Sequence, residues 1–182
     1  MVKYFYVLVS FAFLVIGTGH AYAQKERISS GHSFTVVLCQ DGRLYSCGNN
    51  TNGQLCHANE TAVQDTFLRI ELIDSEKAVD AGFGNHCLAL RKDGSLWAWG
   101  QNYYGQLGNG RFCTDPIDLD ADNCNTFKGP IRVLGGETVS YFLENVIDFS
   151  TGSSQSYAVL ATGEVVAWGF NFYGQLGNGK TP

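Results

Sequence analysis

The sequence predicts an all-β fold, a partial β-propeller of about three four-stranded antiparallel blades. The first reason is a nine-residue phrase at residues 102–110 that returns almost unchanged at 171–179, with a weaker copy at 50–58. The second is spacing, because the central glycines of the three copies are 52 and 69 positions apart. A period of about fifty residues is typical of propeller blades. No stretch holds the apolar period of an amphipathic helix.

The same order of predicted elements recurs in every unit. A short first strand ends near a glycine, an apolar second strand follows, and an Asp-Gly or Thr-Gly turn leads to a third strand. Asp-Gly between apolar runs is a strong hairpin signal, and the two-residue form of this turn needs positive φ at both positions. First strands are predicted at 27–30, 77–81 and 145–150, second strands at 34–38, 87–90 and 157–160, and turns at 41–42, 93–94 and 162–163.

Each third strand ends in Trp-Gly or Cys-Gly, directly before the repeated phrase. A fourth strand is predicted after the phrase, at 67–72 and 131–134. The sequence stops three residues after the third copy, where a further strand is expected. Three blades leave open sheet faces and edges, which promote aggregation. We therefore expect a fragment of a longer propeller, completed by missing repeats; self-association of several short chains into one ring is the alternative.

The repeated phrase is predicted to fasten neighbouring blades. Its glycines permit left-handed backbone, its glutamine can hydrogen-bond loop backbone, and its leucine can close a gap between sheets. The preceding tryptophan offers a large apolar area between blades. Residues copied into every unit are typical of a scaffold rather than of a binding site. The residues given this structural role are Trp99, Gly100, Gly105, Gln106, Leu107, Gly108, Trp168, Gly169, Gly174, Gln175, Leu176 and Gly177.

The first 23 residues are predicted to be a signal peptide and to lie outside the fold. Lys3 gives a positive start, residues 4–16 are an uncharged apolar run, and Ala21-Tyr22-Ala23 is an A-x-A cleavage site. The apolar run is shorter than the roughly 20 residues that a membrane span needs, so we expect no span after cleavage. The expected location is secreted or periplasmic. The mature segment, 24–182, is predicted to hold repeats at about 27–76, 77–144 and 145–182.

The charge balance argues against a nucleic-acid partner. The chain carries 12 Lys and Arg against 17 Asp and Glu. Removal of the leader takes away one positive charge, so the mature balance is 11 minus 17, or −6. Nucleic-acid binding surfaces need clustered Lys and Arg, and the sequence has no basic run.

One stretch is not repeated: an insert at about residues 111–128, which makes the second interval about 17 residues longer than the first. Insertions in repeat proteins map to loops on one face, often the binding face. Cys113 and Cys124 lie in this insert and are the best candidates for a disulfide in an oxidising compartment. Closing such a loop would contribute roughly 3 kcal/mol. The candidate binding residues between them are Asp115, Asp118, Asp120 and Asp122.

Three carboxylates of the insert, Asp118, Asp120 and Asp122, have the 1-3-5 spacing of a calcium loop. An EF-hand also needs Gly at position 6 and Glu at position 12, where this sequence has Asn123 and Gly129. The solvated acidic loop is therefore the favoured interpretation, with calcium as the alternative.

Other site chemistry finds little support in the sequence. The cysteines at 39, 47 and 56 lack the short C-x2-C pair that makes zinc sites specific. No nucleophile motif stands on a strand–helix unit, and the Gly-Gln-Leu-Gly loops open no helix that could cradle phosphate. We expect no cofactor and no catalytic residue.

The pattern Asp-Gly, strand, Trp-Gly, x-Asn-x-Tyr-Gly-Gln-Leu-Gly-x-Gly resembles the repeat of the regulator of chromosome condensation family. The resemblance covers residue 28 to the end; in the first copy Cys47 replaces the tryptophan, and Cys56 and Ala58 replace glycines. It implies four-stranded blades of a seven-bladed propeller.

Propellers that resemble this one generally act as interaction platforms. The expected function is therefore that of an exported, non-enzymatic binding module for a protein or a surface ligand. Family analogy also suggests guanine-nucleotide exchange on a small nuclear GTPase with chromatin binding, which the leader and acidic balance disfavour. A propeller-borne hydrolase is the third hypothesis, for which the sequence offers no nucleophile–base pair.

Overall fold

The computed structural model describes residues 27–57, 62–71, 76–111, 126–136 and 141–180. Within these ranges the chain forms eleven β-strands and no helix. The strands are β1 (Arg27–Ser30), β2 (Phe34–Leu38), β3 (Leu44–Asn49), β4 (Val63–Arg69), β5 (Glu76–Gly82), β6 (His86–Arg91), β7 (Leu96–Gln101), β8 (Thr126–Arg132), β9 (Val146–Thr151), β10 (Gln155–Leu160) and β11 (Val165–Gly169).

The strands form three antiparallel sheets in which chain neighbours pair with each other. Blade 1 is β1–β4, blade 2 is β5–β8, and blade 3 is the three-stranded sheet β9–β11. The predicted all-β partial propeller is therefore confirmed. The first strands of the blades contact one another, β1 with β5 and β5 with β9, so they lie on the inner side, and β4 and β8 lie outside.

The core lies between the blades. Strand β2 alternates buried and half-buried residues, which places Phe34, Val36 and Leu38 on the face toward blade 2. Strand β6 has five buried residues in succession, because blade 2 has a neighbour on each side. The first interface packs Phe34, Val36, Leu38, Leu44, Leu55, Cys56 and Ile70 of blade 1 against Val79, Ala81, Cys87, Ala89 and Trp99 of blade 2.

The outer strands begin earlier than predicted. Strand β4 spans Val63–Arg69 instead of 67–72, and β8 spans Thr126–Arg132 instead of 131–134. The residues of both strands are mostly half-buried or exposed. Their first halves therefore show no alternation of apolar and polar residues that could reveal a strand in the sequence. Backbone pairing with β3 and β7 extends them beyond the apolar residues.

The hairpin turns lie where they were predicted, but their type differs. Gly42 has φ of 84° while Asp41 is not among the positive-φ residues. The Gly42 N–H donates to the Cys39 carbonyl at 3.0 Å, and the Cys39 N–H donates to the Arg43 carbonyl at 2.9 Å. This is a three-residue loop that ends in a left-handed glycine, and only that glycine needs positive φ. The same hydrogen bonds recur at Gly94 and Gly163.

No helix long and apolar enough to cross a membrane occurs in the part of the chain that the structure describes.

Candidate functional site

The repeated loops have one internal geometry. In each copy, the glutamine side-chain oxygen accepts the N–H of the residue two positions earlier, and an asparagine side-chain oxygen accepts the leucine N–H. The glutamine bonds measure 2.8 Å at Gln54 and 2.9 Å at both Gln106 and Gln175. The asparagine bonds measure 3.1 Å at Asn50, 3.0 Å at Asn102 and 2.9 Å at Asn171. These bonds fold each loop on itself and fix its backbone.

The glutamine backbone carbonyl of one loop binds the next blade. Trp99 Nε1 donates to the Gln54 carbonyl at 3.0 Å, and Trp168 Nε1 donates to the Gln106 carbonyl at 2.9 Å. Ser156 Oγ also donates to the Gln106 carbonyl, at 2.8 Å. Trp99 is fully buried and Trp168 is partly buried, so each indole fills space between two blades and satisfies its N–H there.

The glycines of the repeat hold the backbone in left-handed conformations. Gly100 and Gly169 follow the tryptophans with φ of 96° and 98°. Within the loops, positive φ occurs at Gly105, Gly108, Gly174 and Gly177.

A buried histidine links blade 2 to blade 3. His86 Nε2 lies 3.1 Å from Ser156 Oγ, and both side chains are fully buried. Since Ser156 Oγ donates its proton to the Gln106 carbonyl, His86 Nε2 carries the proton of the neutral ring. Burial lowers the pKa of His86 to about 4, against the opposing effect of the Asp80 carboxylate.

Stability is therefore expected to fall in mild acid. Unfolded histidine takes up a proton near pH 6.5, whereas folded His86 stays neutral down to about pH 4. The unfolded state binds more protons in this window, so about 3 kcal/mol of stability present above pH 6.5 is lost as the pH falls to 4. Urea unfolding across pH 4–7 measures the slope. The variant His86→Gln, which copies Gln155 of blade 3, should reduce the slope of the unfolding free energy against pH; an unchanged slope would contradict the assignment.

Burial also lowers the pKa of His57, whose Nε2 lies 3.0 Å from Ser46 Oγ. Unfolding stability of the His86→Gln variant should therefore still fall with pH, but less steeply than that of the unmodified chain.

The Asp80 carboxylate joins the inner strands of all three blades. Its Oδ1 accepts the Ser29 hydroxyl of blade 1 at 2.9 Å. Its Oδ2 accepts the Thr151 N–H and hydroxyl of blade 3, at 2.8 and 2.9 Å. Sequence reasoning missed this residue. Asp80 is the only acid of the predicted strand 77–81, and this was a usable signal, because a half-buried carboxylate needs hydrogen-bond donors.

Five aromatic side chains form a continuous cluster on the loops of blades 2 and 3. We call it the aromatic patch; its members are Tyr103, Tyr104, Phe170, Phe172 and Tyr173. The ring centroids of Tyr104 and Phe170 lie 4.7 Å apart and join the two blades. Phe172 and Tyr173, 5.2 Å apart, extend the patch, and both are exposed.

A cavity of about 660 Å³ lies beside the aromatic patch. Its lining includes Tyr104, Arg111, Leu134, Trp168 and Leu176. Arg111 is the first residue of the predicted insert, and it lies in the lining of this cavity. The aromatic patch, the cavity and the start of the insert thus form one surface, which is the candidate binding site.

Comparison with known families agrees with this architecture. A model described as "Regulator of chromosome condensation (RCC1) repeat" matches residues 26–54, 77–106 and 146–175. A second RCC1 repeat model matches residues 93–159. The chain belongs to the RCC1 repeat family. The three matched segments hold the first three strands of each blade and part of the loop that follows.

Several known proteins are similar to most of this chain. The mouse E3 ubiquitin-protein ligase HERC2 is 29% identical over 157 residues, which cover 84% of this chain and 3% of HERC2. The zebrafish (Danio rerio) protein RCC2 homolog is 31% identical over 145 residues, 79% of this chain and 26% of that protein. The chain therefore spans about a quarter or less of these relatives.

Solved structures show the same fold. Prp20p from Saccharomyces cerevisiae superposes with a TM-score of 0.59 at 20% identity, covering 79% of this chain and 30% of Prp20p. Human WBSCR16 superposes with a TM-score of 0.59 at 19% identity, covering 80% of this chain and 33% of WBSCR16.

The candidate disulfide and binding residues of the insert lie outside the described part of the chain. These are Cys113, Cys124, Asp115, Asp118, Asp120 and Asp122, so their disulfide and calcium hypotheses stay predictions. Among the described residues, no group of three His, Cys, Asp or Glu side chains could hold a metal ion. Cys56 and Cys87 are buried thiols; burial raises the pKa of Cys56 to about 12 and also raises the pKa of Cys87 well above its ordinary value.

Sequence reasoning also missed the aromatic patch. Tyr103 and Phe172 occupy the variable positions of the RCC1 repeat, and Phe170 follows a Trp-Gly pair. The repeat pattern does not specify a residue type at these positions, so the scaffold does not require aromatic side chains there. Their presence could have indicated a binding surface.

Proposed function

We propose that this chain is an exported, non-enzymatic RCC1-repeat module that binds a protein or surface ligand. The observation that carries the proposal is the aromatic patch beside the cavity. Exposed aromatic clusters are uncommon on free surfaces and typical of interaction sites. Tyr and Phe add large rigid contact area at little entropic cost.

Structural relatives support a protein partner. The Prp20p structure is described together with its binding to Gsp1p and histones. A structure of Kap60 bound to yeast RCC1 (Prp20) shows the same kind of propeller with a protein partner. The leader at residues 1–23 supports export, which would give this module a partner outside the cell or in the periplasm.

The buried polar pairs support a role without catalysis. In the described part of the chain, His86 and Ser156 pair a potential base with a potential nucleophile, yet both are fully buried between blades 2 and 3. A catalytic serine must meet its substrate, and Ser156 Oγ donates to the Gln106 carbonyl instead. The second pair, His57 with Ser46, is buried as well.

The test replaces two rings of the aromatic patch. The variant Phe172→Ala with Tyr173→Ala should weaken binding of the captured partner at least tenfold, since buried aromatic anchors dominate interface energies. The partner is first captured from the extracellular or periplasmic fraction, and its affinity is then measured by calorimetry. The control is Tyr141→Ala, because Tyr141 and Phe172 are both 59% exposed and Tyr141 lies outside the patch.

Equal affinity of the two variants would contradict the aromatic patch as the binding site. The same expression experiment tests export: we expect the mature chain in the exported fraction with Gln24 as its first residue. Retention in the cytosol with Met1 intact would contradict the exported role.

A further inference from the structure

We propose that Asn49 is an N-glycosylation site, whose side-chain amide accepts an oligosaccharide during export. Asn49-Asn50-Thr51 is an N-x-T acceptor sequence, and its middle residue is not proline. Such sequences mark surface positions of exported proteins. The inference rests on the exported role proposed above and goes beyond it, because it assigns a covalent modification to one side-chain atom.

The acceptor sequence occupies positions that the repeat leaves free. The middle asparagine belongs to the scaffold, since in each blade its side-chain oxygen accepts the leucine N–H of the loop. The two flanking positions hold Gln101 and Tyr103 in blade 2, Phe170 and Phe172 in blade 3, and Asn49 and Thr51 in blade 1. The scaffold therefore does not require Asn49 and Thr51, and among these three loops the N-x-T sequence occurs in blade 1 alone.

The structure folds this sequence into a turn that brings the hydroxyl to the amide. Asn49 is the last residue of β3. Its Oδ1 accepts the Thr51 N–H at 2.9 Å and the Thr51 hydroxyl at 2.7 Å. An asparagine that binds the backbone two residues later forms an Asx turn. Thr51 is exposed, so the hydroxyl that defines the acceptor sequence lies at the surface, beside the amide that would be modified.

The Asn49 Nδ2 atom is free to be modified. Oδ1 also accepts the Gln54 Nε2 at 2.9 Å, so three donors fix which end of the planar amide is oxygen. Within the described residues Nδ2 donates no hydrogen bond, and it keeps contact with solvent. Replacing one of its hydrogens by a sugar would therefore break none of the bonds that hold the loop.

The accessibility of Asn49 belongs to the loop itself. Gln101 holds the same position in blade 2, which has a blade on each side, and both residues are half-buried. The neighbouring Asn50 differs, because it is 7% exposed and its oxygen accepts the Leu55 N–H. The loop thus combines a buried structural asparagine with an accessible one.

The co-substrate would be an oligosaccharide carried on a lipid pyrophosphate. Asn49 Nδ2 attacks the anomeric carbon of the first sugar, so a C–N bond forms and the C–O bond to the pyrophosphate breaks. The lipid pyrophosphate leaves with the bonding electrons, and Nδ2 loses one proton to a base of the transferase. The hydrophilic glycan would cover the loop of blade 1 and leave contact with a partner to the aromatic patch of blades 2 and 3.

The test measures glycosylation of residues 24–182 secreted from cultured animal cells behind the leader of a known secreted protein. A second N-x-T sequence, Asn59-Glu60-Thr61, lies outside the described residues, and the variant Asn59→Gln removes it. We expect the secreted Asn59→Gln chain to carry one glycan. An amidase that cuts the asparagine–sugar bond should remove the glycan and leave aspartate at position 49, which peptide mass spectrometry identifies.

Two variants of Thr51 separate modification from a structural role of Asn49. Thr51→Val removes the hydroxyl and should abolish the glycan, whereas Thr51→Ser keeps the hydroxyl and should keep the glycan. Thr51 is exposed, so both variants should be secreted and should melt at the same temperature once deglycosylated.

A secreted chain without sugar on Asn49, or a Thr51→Val chain that keeps its glycan, would overturn the proposal. A parallel expression with the chain's own leader tests export separately. Retention in the cytosol there would contradict the exported role, while the glycan on the chain with the substituted leader would still support Asn49 as the acceptor.

Discussion

Replacing Trp99 by alanine is expected to lower the free energy of unfolding by about 3–5 kcal/mol, the usual cost of removing a buried tryptophan. Trp99 is fully buried between blades 1 and 2. The variant would leave a cavity there and remove the donor of the 3.0 Å hydrogen bond to the Gln54 carbonyl. Urea unfolding followed by circular dichroism measures the loss.

The matched control is Trp97→Ala, two residues earlier on the same strand. Trp97 is half-buried, and its Nε1 donates to Ser95 Oγ at 3.1 Å within its own blade. We expect a loss of about 1 kcal/mol, since most of its contacts are local and its ring keeps water contact. Equal losses at the two tryptophans would show that the contact between blades does not dominate stability.

Replacing Gly100 by alanine is expected to destabilise the fold by about 2–5 kcal/mol, the sum of left-handed strain and overpacking. Gly100 has φ of 96°, a region that L-residues avoid. A Cβ there would lie 2.4 Å from the Asn85 carbonyl oxygen and 3.0 Å from His86 Cα. His86 is the first residue of the paired strand β6, and the Asn85 carbonyl accepts the Gln101 N–H at 2.9 Å, so neither backbone atom can move without breaking the pairing.

Gly163→Ala separates the two contributions. Gly163 has φ of 88°, but a Cβ there meets nothing within 4 Å. We expect a loss of about 1–2 kcal/mol from strain alone. Chemical denaturation of both variants gives the difference, which isolates the steric term. A Gly163 variant as unstable as the Gly100 variant would assign the whole effect to backbone strain.

The inner strands and hairpins could be predicted because their signals are local. β1 was predicted with the observed bounds, and β5 and β9 within one residue. Apolar alternation between fixed glycines sets such elements. The bounds of the outer strands were predicted wrongly because these strands are mostly half-buried or exposed. Backbone pairing holds them in the sheet, and their sequence shows no apolar alternation that marks where they begin.

The candidate site was only partly predictable. The sequence directed attention to the unrepeated insert, and the structure places its first residue, Arg111, at the cavity beside the aromatic patch. The patch itself was missed because Tyr104 and Phe170 are 66 positions apart in the sequence and meet only when blades 2 and 3 pack.

The sequence by itself determined the repeat, the family and the all-β class, because those depend on spacing and on residues copied from unit to unit. Tertiary structure alone decided which copies are buried. Leu107 and Leu176 stand in nearly identical phrases, yet one is buried and the other half-exposed. Burial depends on whether a neighbouring blade covers the face, which a local pattern does not encode. The same packing keeps the buried His86 side chain neutral and lets the Asp80 carboxylate hydrogen-bond to blades 1 and 3.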